Sequence, residues 1–115
     1  MARLRVLCEV DPETKDIIRI LRKGGAALFL KPEQVMEYPK AEAVKLVRKR
    51  VFEIDRYSCR HCGKLVTWLT GHCDEVIPKG KSGEVSIYNC QTLCSDCHIG
   101  PKGKHGNRYP QWSRA

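Results

Sequence analysis

Two Cys-x-x-C pairs constrain what this chain can fold into more than any other feature of its sequence. Thirty-one residues separate the pairs, so each pair can form one tight knuckle around a shared ion. Four thiolates satisfy a tetrahedral zinc ion, and Gly63, directly after the first pair, permits the left-handed turn that such a knuckle needs. We therefore predict a structural Zn²⁺ site, with the ligands Cys59, Cys62, Cys94 and Cys97.

Other interpretations of these cysteines carry less support. A redox dithiol of the thioredoxin type needs a β-α-β setting, which the sequence does not show. Bound iron and unpaired buried thiols are the remaining alternatives. The other three cysteines, Cys8, Cys73 and Cys90, have no Cys-x-x-C partner, and we expect them to be buried free thiols.

The cysteine count also bears on the compartment. Seven is an odd number, which fits a disulfide framework poorly. The first ten residues contain no apolar stretch of secretory length, and the longest fully apolar run, residues 26–30, has five residues. We therefore expect no signal peptide, no membrane-spanning segment and a cytoplasmic, intracellular location that keeps the thiols reduced.

Length and charge narrow the class of partner. A chain of 115 residues predicts at most one domain with a small hydrophobic core. A structural metal ion would stabilise such a domain. The 21 lysines and arginines exceed the 13 acidic residues, and the net charge is +8. This excess favours a polyanionic partner, with nucleic acid ahead of an acidic membrane surface.

Hydrophobic periodicity predicts a small α/β piece ahead of the cysteine pairs. Residues 4–10 form a predicted strand, and the turn signal at residues 11–13 ends it. Residues 17–21 have helical spacing with Gly24-Gly25 as a stop, and residues 27–30 form a second predicted strand. Apolar residues over 43–54 then predict an amphipathic helix of about 12 residues.

Asp74 and His98 are candidates for a second metal site with an open side. A carboxylate is a hard oxygen ligand suited to Mg²⁺ or Mn²⁺. His98 directly follows a knuckle cysteine, so zinc ligation would fix its backbone. A divalent metal held in this way can polarise a phosphate and stabilise a leaving oxygen.

About half of the chain, in order and with the zinc pairs in register, resembles the HNH endonuclease family with its ββα-metal site. The resemblance rests on residues 48–63, 74–78 (Asp-Glu-Val-Ile-Pro), 88–89 (Tyr-Asn), 93–98 (Leu-Cys-Ser-Asp-Cys-His) and Lys102. It implies an α+β fold: a small zinc-stapled ββα-metal (HNH or His-Me finger-like) domain with a short N-terminal α/β extension. We divide the chain into an extension (1–45), an HNH-like nuclease domain (46–106) and a C-terminal tail (107–115), and expect residues 100–115 to form a loop and a mobile tail.

The resemblance also implies roles for single residues. Asp74 and His98 fall on the family's metal ligands, so the expected cofactor is Mg²⁺ or Mn²⁺ in addition to the structural zinc. Asn89 falls on the family asparagine, which positions the base or ties down the metal loop. Glu75 falls where the family has the histidine that activates water, which is a departure from the pattern. Because a carboxylate is a weaker base than an imidazole and repels phosphate, we expect a slow nickase, a shifted pH optimum or no cleavage.

His72 is a second candidate at this site. It lies two residues before Asp74, so both side chains share one face of an extended strand, while Glu75 points to the other. His72 is thus a reserve base or an extra ligand, or a packed surface histidine. Asn89 and His98 are nine residues apart and would be out of phase on one helix, so we expect the helix to begin after Asn89.

Basic residues flank these motifs in three groups and suit contacts to a phosphate backbone. The candidates are Arg48, Arg50, Arg56, Arg60, Lys79, Lys81, Lys102 and Lys104. The expected partner is DNA, duplex or branched, rather than a membrane, and high specificity in so short a chain would require a homodimer or another partner. Two rival functions remain open, a DNA-binding zinc module on a nuclease fold without useful catalysis and a zinc-ribbon protein adaptor.

Overall fold

A computed structural model of the chain describes residues 4–22, 29–78, 81 and 83–100. These residues form a small mixed α+β structure in two sheets. The strands are β1 (Arg5–Val10), β2 (Ile17–Ile20), β3 (Val35–Pro39), β4 (Gly71–Glu75) and β5 (Cys90–Cys94). The helices are α1 (Lys40–Ile54), α2 (Ser95–Ile99) and a 3₁₀ turn at Pro32–Gln34.

The first sheet is antiparallel, with strand order β2-β1-β3. In β1, Cys8 and Val10 alternate with more exposed residues, as one-sided burial of a strand requires. The Asp11 carboxylate ends the strand by accepting the backbone N–H of Glu13 at 2.8 Å and of Thr14 at 3.0 Å. These features confirm the predicted first strand and its turn.

The helix predicted over residues 17–21 is wrong, because Ile17–Ile20 form strand β2. Three of these four residues are isoleucines, whose β-branched side chains suit a strand. A short apolar run shows too little periodicity to distinguish a strand from a helix. The two glycines predicted to stop this helix, and residues 27 and 28 of the strand predicted over 27–30, lie outside the described residues, whereas residues 29 and 30 are described and do not lie in a strand. Strand β3 was not predicted.

Helix α1 confirms the predicted amphipathic helix and begins three residues earlier than expected, for a length of 15 residues. Its buried face carries Ala43, Val47 and Val51, which pack with Cys8 of β1 and Cys90 of β5 among others in one core. The N-terminal sheet and the cysteine-rich half thus share a core. The boundary expected after residue 45 falls inside α1, and the division into domains stays a prediction.

The segment before β5 also joins the two halves. Ile20 donates its N–H to the Val85 carbonyl, and Ile87 donates to the Ile18 carbonyl, both at 2.9 Å. Arg19 of β2 lies between Glu9, at 2.9 Å, and Glu84, at 3.2 Å. Residues 84–87 are therefore held along the outer edge of β2.

The second sheet is an antiparallel pair of β4 and β5, and α2 follows β5 without a loop. In its register, His72 lies opposite Leu93, and Asp74 lies opposite Gln91. Leu93 packs with Cys59, Val66 and Cys94 in a second cluster of buried residues. The helix begins after Asn89, as the sequence predicted.

Within the described ranges, neither α1 nor α2 has the length and apolar character needed to cross a bilayer.

Candidate functional site

Four cysteine sulfurs converge between the end of α1 and the start of α2. The Sγ atoms of Cys59, Cys62, Cys94 and Cys97 all lie within 4.8 Å of one another. Those of Cys62 and Cys94 are 3.7 Å apart, and two sulfurs that each lie about 2.3 Å from one tetrahedral ion would be separated by about 3.8 Å. The predicted four-cysteine cluster is thus confirmed as a group that could hold a structural metal ion such as zinc.

The first knuckle is built to favour a thiolate at Cys59. Burial raises the pKa of this thiol, but backbone N–H groups of Cys62, Cys94 and His61 donate to the sulfur and lower the pKa by more than burial raises it. The net result is a pKa of about 7. The N–H of Gly63 donates to the Cys59 carbonyl at 2.9 Å, and the φ of Gly63 is +80°. A residue with a side chain would be strained at this φ, so glycine is favoured in this turn.

Asp74 and His98 meet beside this cluster. Asp74 is buried in β4 with 5% of its surface exposed, and His98 projects from α2. The distance from His98 Nε2 to Asp74 Oδ1 is 3.4 Å. Two ligands that each lie about 2.1 Å from one ion are separated by about 3.0 to 3.4 Å at angles between octahedral and tetrahedral. This spacing fits a single divalent ion held between the two side chains.

Each of these two side chains has a further partner. Gln91, which faces Asp74 across the sheet, donates its Nε2–H to Asp74 Oδ2 at 3.1 Å. His72 lies on the same face of β4 as Asp74, and its Nδ1 is 2.8 Å from the Nδ1 of His98. The four side chains form a continuous series, in the order Gln91, Asp74, His98, His72.

Asn89 holds the loop that connects β4 to β5. Its side-chain Oδ1 accepts the backbone N–H of Ile77 at 2.9 Å. Its Nδ2 donates to the carbonyls of Ile77, at 2.9 Å, and Glu84, at 2.7 Å. Both the oxygen and the nitrogen of the side-chain amide are therefore hydrogen-bonded to backbone groups of the loop, which makes Asn89 a positioning residue for the loop.

Glu75, His72 and His98 line one cavity of about 460 Å³. The cavity is also lined by apolar residues that include Val44, Val47 and Val85. Glu75 alternates with Asp74 along β4, so the two carboxylates leave the strand on opposite faces. Glu75 and His98 thus both line the cavity, and Asp74 lies on the opposite face of β4 from Glu75.

The three remaining cysteines are free thiols. Cys8 and Cys90 are buried as predicted, whereas Cys73 is only half-buried and lines the cavity. The side chains of Cys73 and Cys90 hydrogen-bond to each other, which raises the pKa of Cys73 and lowers that of Cys90.

The basic residues expected to contact DNA occupy different environments. Arg48 donates to the carbonyls of Trp68, at 2.6 Å, and Gly71, at 3.0 Å, and its guanidinium stacks 4.0 Å from the centre of the Trp68 ring. Arg60 lies 3.7 Å from Asp55, and Arg50 lies 3.9 Å from Glu53. Arg56 and Lys81 are exposed, and Lys79, Lys102 and Lys104 lie outside the described residues, as does most of the expected C-terminal loop and tail.

Sequence reasoning missed Gln91, Asp55 and the structural use of Arg48. Gln91 comes two residues after Asn89 in strand β5, which was not predicted from the sequence. No spacing rule connects Gln91 with Asp74. Polar residues inside an otherwise apolar stretch of β5 are the signal that would have drawn attention to it.

Comparison of the chain with protein-family models, curated proteins and solved structures found no match.

Proposed function

We propose that this protein is a metal-dependent DNA endonuclease of the HNH type, which hydrolyses phosphodiester bonds. The observation that carries the proposal is the pairing of Asp74 with His98 at 3.4 Å. Asp74 lies on β4 and His98 on α2, and β5 comes between these two elements in the chain. The resemblance to the HNH family implies metal ligands at these two positions. The finer fold assignment to that class is part of the same proposal.

The proposal includes two metal sites, each chosen from the chemistry of its donor atoms. The four thiols suit a structural Zn²⁺ ion, which would join the end of α1 to the start of α2. The carboxylate and imidazole suit a catalytic Mg²⁺ or Mn²⁺ ion, held by Asp74 and His98. When bound there, such an ion supplies positive charge that stabilises the phosphate oxygens and the leaving oxygen.

The side chains of the chain supply the rest of the chemistry. Glu75 takes the proton of a water molecule in the cavity as the water oxygen attacks phosphorus and the bond to the leaving oxygen breaks. Asn89 keeps the β4–β5 loop in place, which fixes the end of β4 on which Glu75 lies. The net charge of +8 draws the DNA backbone to the protein, with Arg50, Arg56, Arg60, Lys79, Lys81, Lys102 and Lys104 as the candidate contacts.

Glu75 makes the proposed enzyme slow. A carboxylate provides less driving force for proton transfer than the imidazole found at this position in the family, and its charge opposes the approach of phosphate. A nickase with low turnover is therefore the expected activity.

Nicking of supercoiled plasmid, measured with Mn²⁺ or Mg²⁺ across a range of pH, tests the proposal. We expect the wild-type protein to nick slowly, His98→Ala to fall to background, and Glu75→His to be about tenfold faster near neutral pH. Glu42→Gln, an exposed substitution on α1, is the matched control and should behave as wild type. Absence of cleavage by all the proteins under every condition would reject the nuclease proposal.

A DNA-binding module without catalysis is the second candidate, because a carboxylate stands in the position of the base. Under this alternative the protein binds DNA equally well in EDTA and in Mn²⁺, and none of the variants cleaves. Failure to bind any form of DNA at low salt would reject both candidates and favour an adaptor function.

A further inference from the structure

His98 has two ring nitrogens with different neighbours, and the difference indicates where its proton lies. Nδ1 is 2.8 Å from His72 Nδ1, an ordinary hydrogen-bond length. Nε2 is 3.4 Å from Asp74 Oδ1, which is long for a hydrogen bond and suits two ligands of a shared ion. The ring proton of His98 is therefore assigned to Nδ1, where it lies in the hydrogen bond to His72.

We propose that His72 is a positioning residue whose Nδ1 accepts the Nδ1–H of His98, so that the Nε2 lone pair of His98 faces the metal position beside Asp74. This inference rests on the proposed metal site. It gives His72 a role other than that of a base or a ligand of the same ion. A ligand of that ion would have to approach the Nε2 side of His98, whereas His72 contacts the opposite nitrogen.

The tautomers of the two rings agree with this assignment. A neutral histidine ordinarily carries its proton on Nε2, which leaves Nδ1 as an acceptor. His72 in this ordinary form can accept from His98, but His98 in the same form would point an N–H at Asp74 and block metal binding. Histidines that ligate metals commonly donate their other N–H to a fixed acceptor, which sets the tautomer and the ring orientation.

The surroundings hold both rings in place. The His72 and His98 rings meet edge to face with centroids 4.9 Å apart. The backbone of His72 is fixed by pairing with Leu93, and on the far side Gln91 restrains the Asp74 carboxylate. The two ligands thus have one supporting side chain each, Gln91 for Asp74 and His72 for His98.

Two substitutions of His72 distinguish the contribution of its acceptor atom from that of the rest of the imidazole ring. His72→Asn places an amide oxygen, bonded to the same Cγ position, where Nδ1 was and keeps an acceptor for His98. His72→Ala removes the acceptor. Binding of Mn²⁺ to the zinc-loaded protein is measured from the loss of the free Mn²⁺ signal in electron paramagnetic resonance, with His98→Ala to identify the site and Glu42→Gln as the control.

We expect His72→Ala to bind Mn²⁺ about 10- to 100-fold more weakly than wild type and His72→Asn to remain within about threefold. The ¹⁵N chemical shifts of His98 in the metal-free site provide an independent readout. They should report the Nδ1–H tautomer in wild type and His72→Asn, and the Nε2–H tautomer in His72→Ala. Thermal unfolding identifies any variant that has lost its fold.

Unchanged Mn²⁺ affinity in folded His72→Ala, or an Nε2–H tautomer of His98 in wild type, would overturn the assignment. A wild-type protein that binds no Mn²⁺ at this site would overturn both the assignment and the nuclease proposal. A protein that shows the expected tautomer and Mn²⁺ affinities but cuts no DNA would support the role of His72 and reject the nuclease function alone.

Discussion

The carboxylate of Asp55, at the end of α1, accepts the backbone N–H of Thr92 in the middle of β5 at 2.9 Å. Both residues are buried, and 37 positions of sequence separate them. The other carboxylate oxygen lies 3.7 Å from Arg60 in the first knuckle. One side chain thus ties the helix, the strand and the cysteine cluster together.

This contact predicts a loss of stability on truncation of Asp55. Asp55→Ala leaves the buried N–H of Thr92 without its acceptor, so the free energy of unfolding should fall by about 1–3 kcal/mol. Asp55→Asn retains an oxygen acceptor and should lose less. Urea denaturation of the two variants measures the difference, and equal losses would show that the bond to Thr92 is not what Asp55 contributes.

The cysteine cluster predicts about one zinc ion per chain, measurable by metal analysis of the purified protein. Cys97→Ser should abolish stoichiometric zinc and lower the unfolding temperature, because metal binding contributes to folding free energy. Cys73→Ser is the matched control, since this cysteine lies outside the cluster and should leave the zinc content unchanged. Retention of zinc by Cys97→Ser would contradict the assignment of the ligands.

Arg48 is predicted to act on stability rather than on DNA binding. Arg48→Met removes two hydrogen bonds from a charged donor to the Trp68 and Gly71 carbonyls and should cost about 2–3 kcal/mol in urea denaturation. Arg48→Lys should recover only part of this, because an ammonium cannot stack on Trp68 in the same way. A folded Arg48→Met protein with full stability and a reduced salt dependence of DNA binding would instead indicate a phosphate contact.

Cys8 predicts a loss of stability at alkaline pH. Burial raises its pKa from 9.0 to about 11, so the folded state favours the neutral thiol. The associated stability is fully present below pH 9 and is lost as the pH rises towards 11, for a total of up to about 3 kcal/mol. The free energy of unfolding of wild type should therefore decline more steeply over this range than that of Cys8→Ala. Parallel curves for the two proteins would argue against the raised pKa.

Several features could be predicted because they depend on local spacing. The four ligand cysteines were identified because a knuckle needs two thiols three residues apart, and α1 because its apolar face repeats with the period of a helix. The turn after β1 was predicted from the turn signal Asp-Pro-Glu at residues 11–13, and in the structure the Asp11 carboxylate accepts backbone N–H groups there. Asp74 and His98 were paired as candidate ligands from their chemistry and from the position of His98 beside a knuckle cysteine, the resemblance implied the same pair, and the structure places them 3.4 Å apart.

Tertiary structure decided the features that depend on residues far apart in sequence. Residues 17–20 form a strand because β1 and residues 85–87 supply hydrogen-bond partners on both edges, which a local run of isoleucines does not reveal. The contacts of His72 with His98, and of Gln91 with Asp74, join residues 26 and 17 positions apart. The sequence by itself therefore indicated which groups are candidates to ligate metal, since ligand chemistry belongs to single residues and short spacings. The hydrogen-bond partners of Asp74 and His98 were set only by the register of β4 against β5 and by the direct passage of β5 into α2, because such a partner is selected by position in space.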